Sequence, residues 1–344
     1  MALAENIYYI CLVSLFISSL TIFIFNKNNI LIDQVSFSEH KNLIKRIEKS
    51  PPLCGGIIIL ICSTLFFKNF FLMNLFGAFF LIIGIFSDSN KLSSPLIRIC
   101  IQFITCFFFV ALSGLNIFDL RIDILNHFLE INFISILFTV FCILILINGS
   151  NFLDGLNTLV LGYYTLVCIV LIYLSNNFNL IINSNISILI IFLLVLFIFN
   201  FFGKVYLGDS GAYLIAFLIS FFVIDFSLKN TLVSPYFICL LLWYPAFENL
   251  FSILRRIFSK SKIDTADNHH LHHMIYGYFV QKKIIKTLYV NTLVANLINF
   301  YNLSTFVFFS RFYLSTKFLI IGILLNISVY LFLFFLLKPR QSKI

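Results

Sequence analysis

Charge is what this chain has least of. Asp, Glu, Lys and Arg make up 11% of its 344 residues, while 61% are hydrophobic. Soluble domains carry roughly 25% charged residues, so a water-facing surface is excluded for most of the chain. The period-2 alternation of an outer-membrane barrel is missing too. The apolar runs are long and continuous, so the expected fold class is all-α, a polytopic integral membrane protein. No close Cys-x-x-Cys pair occurs among the eight cysteines, which lie in or beside apolar runs. Neither a disulfide framework nor a zinc site is indicated. The start, Met1-Ala-Leu-Ala-Glu5, lacks the basic opening of a signal peptide, and the run Ile7 to Phe25 is too long for its apolar segment. It reads as a retained first span. No soluble domain, low-complexity linker or internal repeat follows, so residues 1–344 read as a single transmembrane domain.

At roughly 20 apolar residues per span, about eleven helices are expected, centred near residues 16, 61, 78, 105, 139, 167, 191, 217, 243, 297 and 327. The second and third are short and parted only by Lys68-Asn69. With the N-terminus outside, five basic residues (Lys68, Arg121, Lys229, Arg311 and Lys317) fall on one face and the other 18 of the 23 on the opposite face. That asymmetry marks the basic face as cytoplasmic. The expected location is therefore the inner (cytoplasmic) membrane, multi-pass, with the site facing the cytoplasm. The net charge of +9 suits anionic lipid or recruitment of phosphorylated substrates. Nucleic-acid binding is not expected, because no soluble basic domain exists to carry it.

Five polar stretches fall on the basic face under the same assignment. They are Asp33–Gly56, Phe86–Lys91, Asn148–Gly155, Val205–Gly211 and Asp267–His273. Acids and histidines are costly near hydrocarbon and mark function there. Asn151 and Asp154, three apart, share a face in a helical turn, and could bind a metal, a phosphate's counter-ion or a nucleotide; the bland alternative is a polar turn. Asp209 stands between Gly208 and Gly211 just before an apolar run. It could ligate Mg²⁺ or simply cap the following helix. Asp88 ends the third span, where a negative charge opposes the helix dipole, which favours a functional reading over a cap. His269, His270, His272 and His273 put four imidazoles in five positions, open to zinc or to a diphosphate. Glu248, just after Tyr244-Pro245, reads as a structural partner of Arg255.

In order and content these stretches resemble the polyprenyl-phosphate N-acetylhexosamine-1-phosphate transferases, over roughly residues 33–280. The family's Pro…Gly-Gly element appears as Pro51-Pro-Leu-Cys-Gly55-Gly56 and its Asp-Asp element as Asp88-Ser89. Asn-x-x-Asn-x-x-Asp-Gly is intact from Asn148 to Gly155. Tyr206-Leu-Gly-Asp209-Ser-Gly211 and Asp267-Asn-His-His270-Leu-His272-His273 match the last two elements. The resemblance implies Mg²⁺-dependent transfer, with Mn²⁺ as an alternative metal, of a sugar 1-phosphate from a UDP-N-acetylhexosamine to a polyprenyl (undecaprenyl) phosphate. UMP would be released, in the initiating step of a cell-envelope glycan such as O-antigen or capsule. Asp88, Asp154 and Asp209 would be catalytic, and Asp209 would be the metal ligand. Asn148, Asn151, Tyr206, His270, His272 and His273 would bind substrate, Tyr206 stacking on uracil and the histidines holding the diphosphate. The implied partners are the nucleotide sugar, the lipid phosphate and the membrane, with room left for a homodimer.

Two departures matter: Ser89 replaces the second acid of the Asp-Asp element, and Asn157 stands where several relatives carry Asp. An inactive transferase relative is one alternative that they leave open. A multi-span transporter is another, against which nearly all acids and histidines sit at span ends on one side. A zinc hydrolase would rest on the histidines alone and lacks His-Glu-x-x-His.

Overall fold

The computed structural model describes residues 2–32, 50–67, 70–259, 270–283 and 286–341. These form fourteen helices. They are α1 (Ala2–Asn28), α2 (Gly55–Phe66), α3 (Phe71–Asp88), α4 (Pro95–Ser113), α5 (Asp123–Leu129), α6 (Asn132–Leu153) and α7 (Leu159–Phe178). There follow α8 (Asn185–Phe201), α9 (Gly208–Lys229), α10 (Pro235–Leu241), α11 (Trp243–Ser259), α12 (Leu271–Lys282), α13 (Thr287–Ser310) and α14 (Thr316–Gln341). Apart from one isolated bridge between Ile32 and Pro52, no extended pairing is seen among the described residues. The all-helical polytopic expectation is met.

The expected spans coincide with helices, but not all are built alike. Eight helices are long and apolar enough to cross a membrane: α1, α3, α4, α6, α7, α9, α13 and α14. The span expected near residue 243 is instead a pair, α10 and α11, bent by 74° at its break. The remaining two, α2 and α8, have 12 and 17 residues. At about 1.5 Å per residue α2 reaches about 18 Å, well short of a hydrocarbon core of roughly 30 Å.

Burial separates the helices by role. α9 and α7 are enclosed on nearly all sides, whereas α1, α4 and α14 turn most of their surface outward. From Tyr213 to Ile224 α9 is apolar around its circumference but for Ser220, the pattern of a helix with no solvent-facing stripe. It packs against α2, α3 and α6, and its Phe217 meets Phe80 of α3 and Phe109 of α4. The outward helices expose Tyr8, Phe16, Phe108 and Phe332, large apolar side chains suited to lipid contact. Buried hydroxyls on the helices bond back to their own carbonyls, as Ser18 Oγ does to Ser14 O at 2.7 Å, so they need no water.

The break between α10 and α11 frees backbone groups that hydrocarbon cannot satisfy. Pro245 lies in the first turn of α11, where its missing N–H is not needed. The groups that do need partners find them on α7 and α13. The Tyr163 hydroxyl donates to Leu241 O at 2.8 Å and accepts from Tyr244 N at 3.4 Å. Trp243 Nε1 donates to Asn302 Oδ1 at 2.8 Å. Tyr163 is fully buried, so Tyr163→Phe removes one oxygen and leaves the shape intact. Each buried backbone group left unpaired costs about 1–3 kcal/mol. Thermal unfolding of the detergent-purified variant is expected to show a loss within or just above that range, Leu241 O being the better-bonded of the two groups.

Candidate active site

The N-terminus of α9 organises the site. Gly208 adopts φ +66°, a left-handed conformation open to glycine without penalty, and a Cβ there would meet the Asp88 carboxylate at 2.7 Å. Asp88 Oδ1 accepts from Asp209 N at 2.8 Å and Oδ2 from Ser210 N at 3.1 Å. The carboxylate at the end of α3 thus caps a different helix, α9, whose N-terminal dipole favours a negative charge. The argument from Asp88's own helix dipole is thereby corrected: the sequence showed only the helix Asp88 ends, and tertiary packing supplies the one it caps. Ser89, exposed beside it, returns its hydroxyl to Ile85 O at 2.7 Å.

With Asp88 as cap, Asp209 is free to turn sideways. Its Oδ2 accepts from the Ser87 hydroxyl, from Arg98 Nη1 at 3.1 Å and from the Tyr213 hydroxyl at 3.3 Å. Arg98 also donates to Ser87 Oγ at 2.5 Å. Arg98 and Asp209 keep 24% and 26% of their side-chain surface exposed, so both remain within reach of a ligand. One turn further along α4, Gln102 Oε1 accepts from Asn148 Nδ2 at 3.1 Å. Residues four apart are neighbours on a helix face, so α4 brings Asn148 next to the Asp209 group.

The other stretches join through the backbone. Tyr206 N donates to Pro52 O at 3.0 Å, and Gly55 N donates to Tyr206 O at 3.1 Å, which places the Pro51–Gly56 element against Tyr206. Tyr206 itself is half-buried. Asn200, near the end of α8, accepts from Thr158 N at 2.5 Å and donates to Val205 O at 2.7 Å. The same turn is gripped from α13: Asn291 Oδ1 accepts from Asn157 N at 2.7 Å, and Asn299 Nδ2 donates to Thr158 O at 3.2 Å. Thr158 holds φ +68°, a strained conformation for a β-branched residue. These bonds fix the turn that follows Asp154.

The histidines meet that turn from above. A side-chain carbon at Gly155 would collide with the His273 ring and reach His272 Nε2 at 2.8 Å. The rings of His272 and His273 lie 4.2 Å apart, and His270 stacks on Phe152 at 5.0 Å. Asn151 and Asp154 are half-buried on either side of Phe152 and Leu153. These contacts join Asp88 to Asp209, α4 to Asn148, the Pro52–Gly55 segment to Tyr206, and Gly155 to His272 and His273. Asp267, His269 and residues 33–49 lie outside the described residues. Glu248 corrects its own expectation: its carboxylate meets His270 and Tyr330, while the Arg255 guanidinium lies over Phe251 and Phe334. Sequence reasoning missed Arg98, Gln102 and Asn200. Each is a polar residue inside an otherwise apolar run, and that isolation is the signal that marks them.

His272 is fully buried, and neither ring nitrogen meets a hydrogen-bond partner among the described residues. Burial first, then the neighbouring His273 and His270, hold its pKa well below the ordinary imidazole value. The folded protein keeps this ring neutral. Below about pH 6.5 the unfolded chain binds a proton that the folded one refuses, so stability is complete above that value and declines as pH falls. Unfolding temperatures in detergent are expected to drop on acidification through that range, and His272→Phe is expected to flatten the dependence.

No group of three His, Cys, Asp or Glu side chains among the described residues could hold a metal by itself. Mg²⁺ commonly binds one or two carboxylates and completes its shell with water and substrate phosphate. A half-exposed Asp209 beside Asp88 is consistent with that donor set.

Asn200→Ala is expected to leave Thr158 N–H and Val205 C=O unpaired together. At about 1–3 kcal/mol for each group, the variant should lose several degrees of thermal stability in detergent.

Fold and site define a polytopic helical membrane protein with one polar centre built from carboxylates, an arginine and histidines. Residues 70–227 match the family described as Glycosyl transferase family 4. That stretch runs from just before α3 to near the end of α9 and contains Asp88, Asn148–Gly155 and Asp209. The chain is also 28% identical, over 243 residues, to a Bacillus subtilis (strain 168) protein named "Probable undecaprenyl-phosphate N-acetylglucosaminyl 1-phosphate transferase". The match covers 67% of this chain and 67% of that one. Together these matches support the polyprenyl-phosphate hexosamine-1-phosphate transferase family for this chain.

Proposed function

We propose that this protein transfers a sugar 1-phosphate from a UDP-N-acetylhexosamine to a polyprenyl phosphate and releases UMP. Family and relative support sugar-phosphate transfer to a polyprenyl phosphate. The observation that carries the reading is that α4 holds Asp209 through Arg98 and Asn148 through Gln102 one turn on, while Gly155 at the far end of the same motif packs against His272 and His273. In the reaction, an oxygen of the lipid phosphate attacks the sugar-bearing phosphorus. A P–O bond forms there, the bond to the bridging oxygen breaks, and that oxygen leaves with UMP.

Phosphoryl transfer depends on positioning and charge neutralisation more than on covalent help from the protein. α9's first N–H groups are already engaged by Asp88, so they are not free to cradle a phosphate in the manner of other helix N-termini. Neutralisation falls instead to Arg98 and a cation, with His270 and His273 as hydrogen-bonding side chains on the other flank. Asp209 is the residue that would hold Mg²⁺, with Asp88 next to it. When bound, Mg²⁺ would spread the negative charge of the diphosphate. On this reading Asn148, Asn151 and Asp154 orient the nucleotide sugar, Tyr206 stacks on uracil, and His270, His272 and His273 hold the diphosphate. The apolar outer faces of the bundle keep the acceptor's prenyl chain in lipid, while its phosphate reaches the polar centre. The basic face would be cytoplasmic, where UDP-sugars are made, and the product would initiate an envelope glycan.

The test is a membrane assay offering several radiolabelled UDP-sugars with undecaprenyl phosphate, followed by lipid extraction. Transfer from one of them is expected to need Mg²⁺ or Mn²⁺ and to stop in EDTA. Asp209→Asn keeps the shape, removes the charge and should abolish transfer in protein that still inserts. Full activity in that variant would move the metal to another carboxylate, with Asp154 next in line.

A further inference from the structure

Glu248 lies in the second turn of α11, just past the break, and is fully buried. A carboxylate is expensive at such a place unless donors meet it. One oxygen is met twice. His270 Nδ1 lies 2.8 Å from Oε1, and the Tyr330 hydroxyl donates to the same oxygen at 2.8 Å. The other oxygen, Oε2, has no partner among the described residues. Three separate elements meet at this point: α11, the residue leading into α12, and α14. The His270 ring is fixed further by Phe152, which lies between Asn151 and Asp154, with the planes 28° apart. His272 lies nearly parallel to it at 5.7 Å.

The chemistry of the pair gives it a direction. An oxygen that already accepts from Tyr330 is met at Nδ1 by an N–H, and a phosphate oxygen, which also only accepts, calls for a second N–H at Nε2. Tyr330 restrains the carboxylate in turn. Nothing in the bond pattern of Glu248 points outward, so it is not placed to touch substrate itself.

We propose that Glu248 is a positioning residue: by accepting from Nδ1–H it fixes the orientation of His270, with Tyr330 as its brace, so that Nε2–H of the imidazolium formed when the anionic substrate binds donates to the diphosphate of the nucleotide sugar. The inference rests on the proposed role of His270 in holding that diphosphate. It also gives the bend between α10 and α11 a task, since the break sets the start of the helix that carries Glu248 under the histidines.

The full-length protein in detergent or nanodiscs provides the test, with rates normalised to folded enzyme. Glu248→Gln keeps the volume, but an amide either accepts from Nδ1–H or donates to bare Nδ1, so the bias is lost. Its kcat/KM for the UDP-sugar is expected to fall about ten- to a hundredfold, the scale on which partners behind functional histidines act, with a raised KM. Tyr330→Phe should fall less. In the His270→Ala background, Glu248→Gln should add nothing, because the two act as one unit. NMR of ¹⁵N-histidine-labelled protein, with His270→Ala identifying the signal, should show a proton on Nδ1 in the free enzyme and on both ring nitrogens with the UDP-sugar bound. In Glu248→Gln the proton on Nδ1 should be lost from part of the population.

A merely structural pair would lower the yield of folded protein and leave kcat, KM and the tautomer unchanged; that result, or additive losses in the double variant, would overturn the proposal. Should Glu248→Gln not fold, Tyr330→Phe decides by kcat/KM: no loss in folded enzyme, or a loss that adds to that of His270→Ala, would overturn the proposal. Full transfer by His270→Ala would remove the histidine from the reaction and with it the functional half of the proposal. The NMR comparison would still read whether Glu248 sets the ring.

Discussion

Each place where the chain stops being helical within the bundle exposes N–H and C=O groups that hydrocarbon cannot satisfy, and the structure depends on side chains that meet them. Asp88 does so for α9, Tyr163 for the break between α10 and α11, and Asn200, Asn291 and Asn299 for the turn after Asp154. Every one of these partners comes from a distant part of the sequence. The breaks are also where the site lies, because only an interrupted helix can bring backbone and short polar side chains to a ligand. Stability and site geometry are therefore held by the same bonds.

Electrostatics follows from that arrangement. Asp88 and Asp209 are neighbours, yet they serve differently because Asp88 is engaged by the α9 dipole and backbone while Asp209 faces Arg98, Ser87 and Tyr213. One carboxylate is spent on structure and the other is offered to a ligand. On the opposite flank of the Asn148–Gly155 turn, a buried Glu248 and a neutral His272 set the character of the histidine cluster. The nucleotide-sugar diphosphate proposed as substrate would sit between these flanks, with Arg98 on one side and imidazoles on the other. Ser89 fits the same division of labour. Its hydroxyl serves its own helix end, so replacement of an acid there leaves the Asp209 group intact.

Much of this was legible beforehand. Charge scarcity and run length specified a polytopic helical bundle, since apolar stretches of about 20 residues have one common destination. The spacing of Asn148, Asn151 and Asp154, the glycines around Asp209 and the clustered histidines marked the candidate site, because polar residues are costly at a membrane boundary. Arg98, Gln102 and Asn200 escaped notice, being single polar residues in apolar helices, where a one-dimensional reading cannot tell a site residue from a satisfied core group. The bend at α10 and α11 was foreshadowed by Pro245, but its size was not, because bend angles are set by what packs against the break.

The sequence by itself determined which segments enter the membrane and which polar residues had to find partners there, because both follow from transfer energies that act residue by residue. Only the tertiary structure decided who those partners are. That Asp88 caps α9 and not its own helix, that Glu248 turns to His270 and Tyr330, and that Asn200 ties Thr158 to Val205 all depend on contacts between segments far apart in the chain. Hydrogen bonds reach about 3 Å, and no spacing along a sequence specifies which distant groups packing will bring within that range.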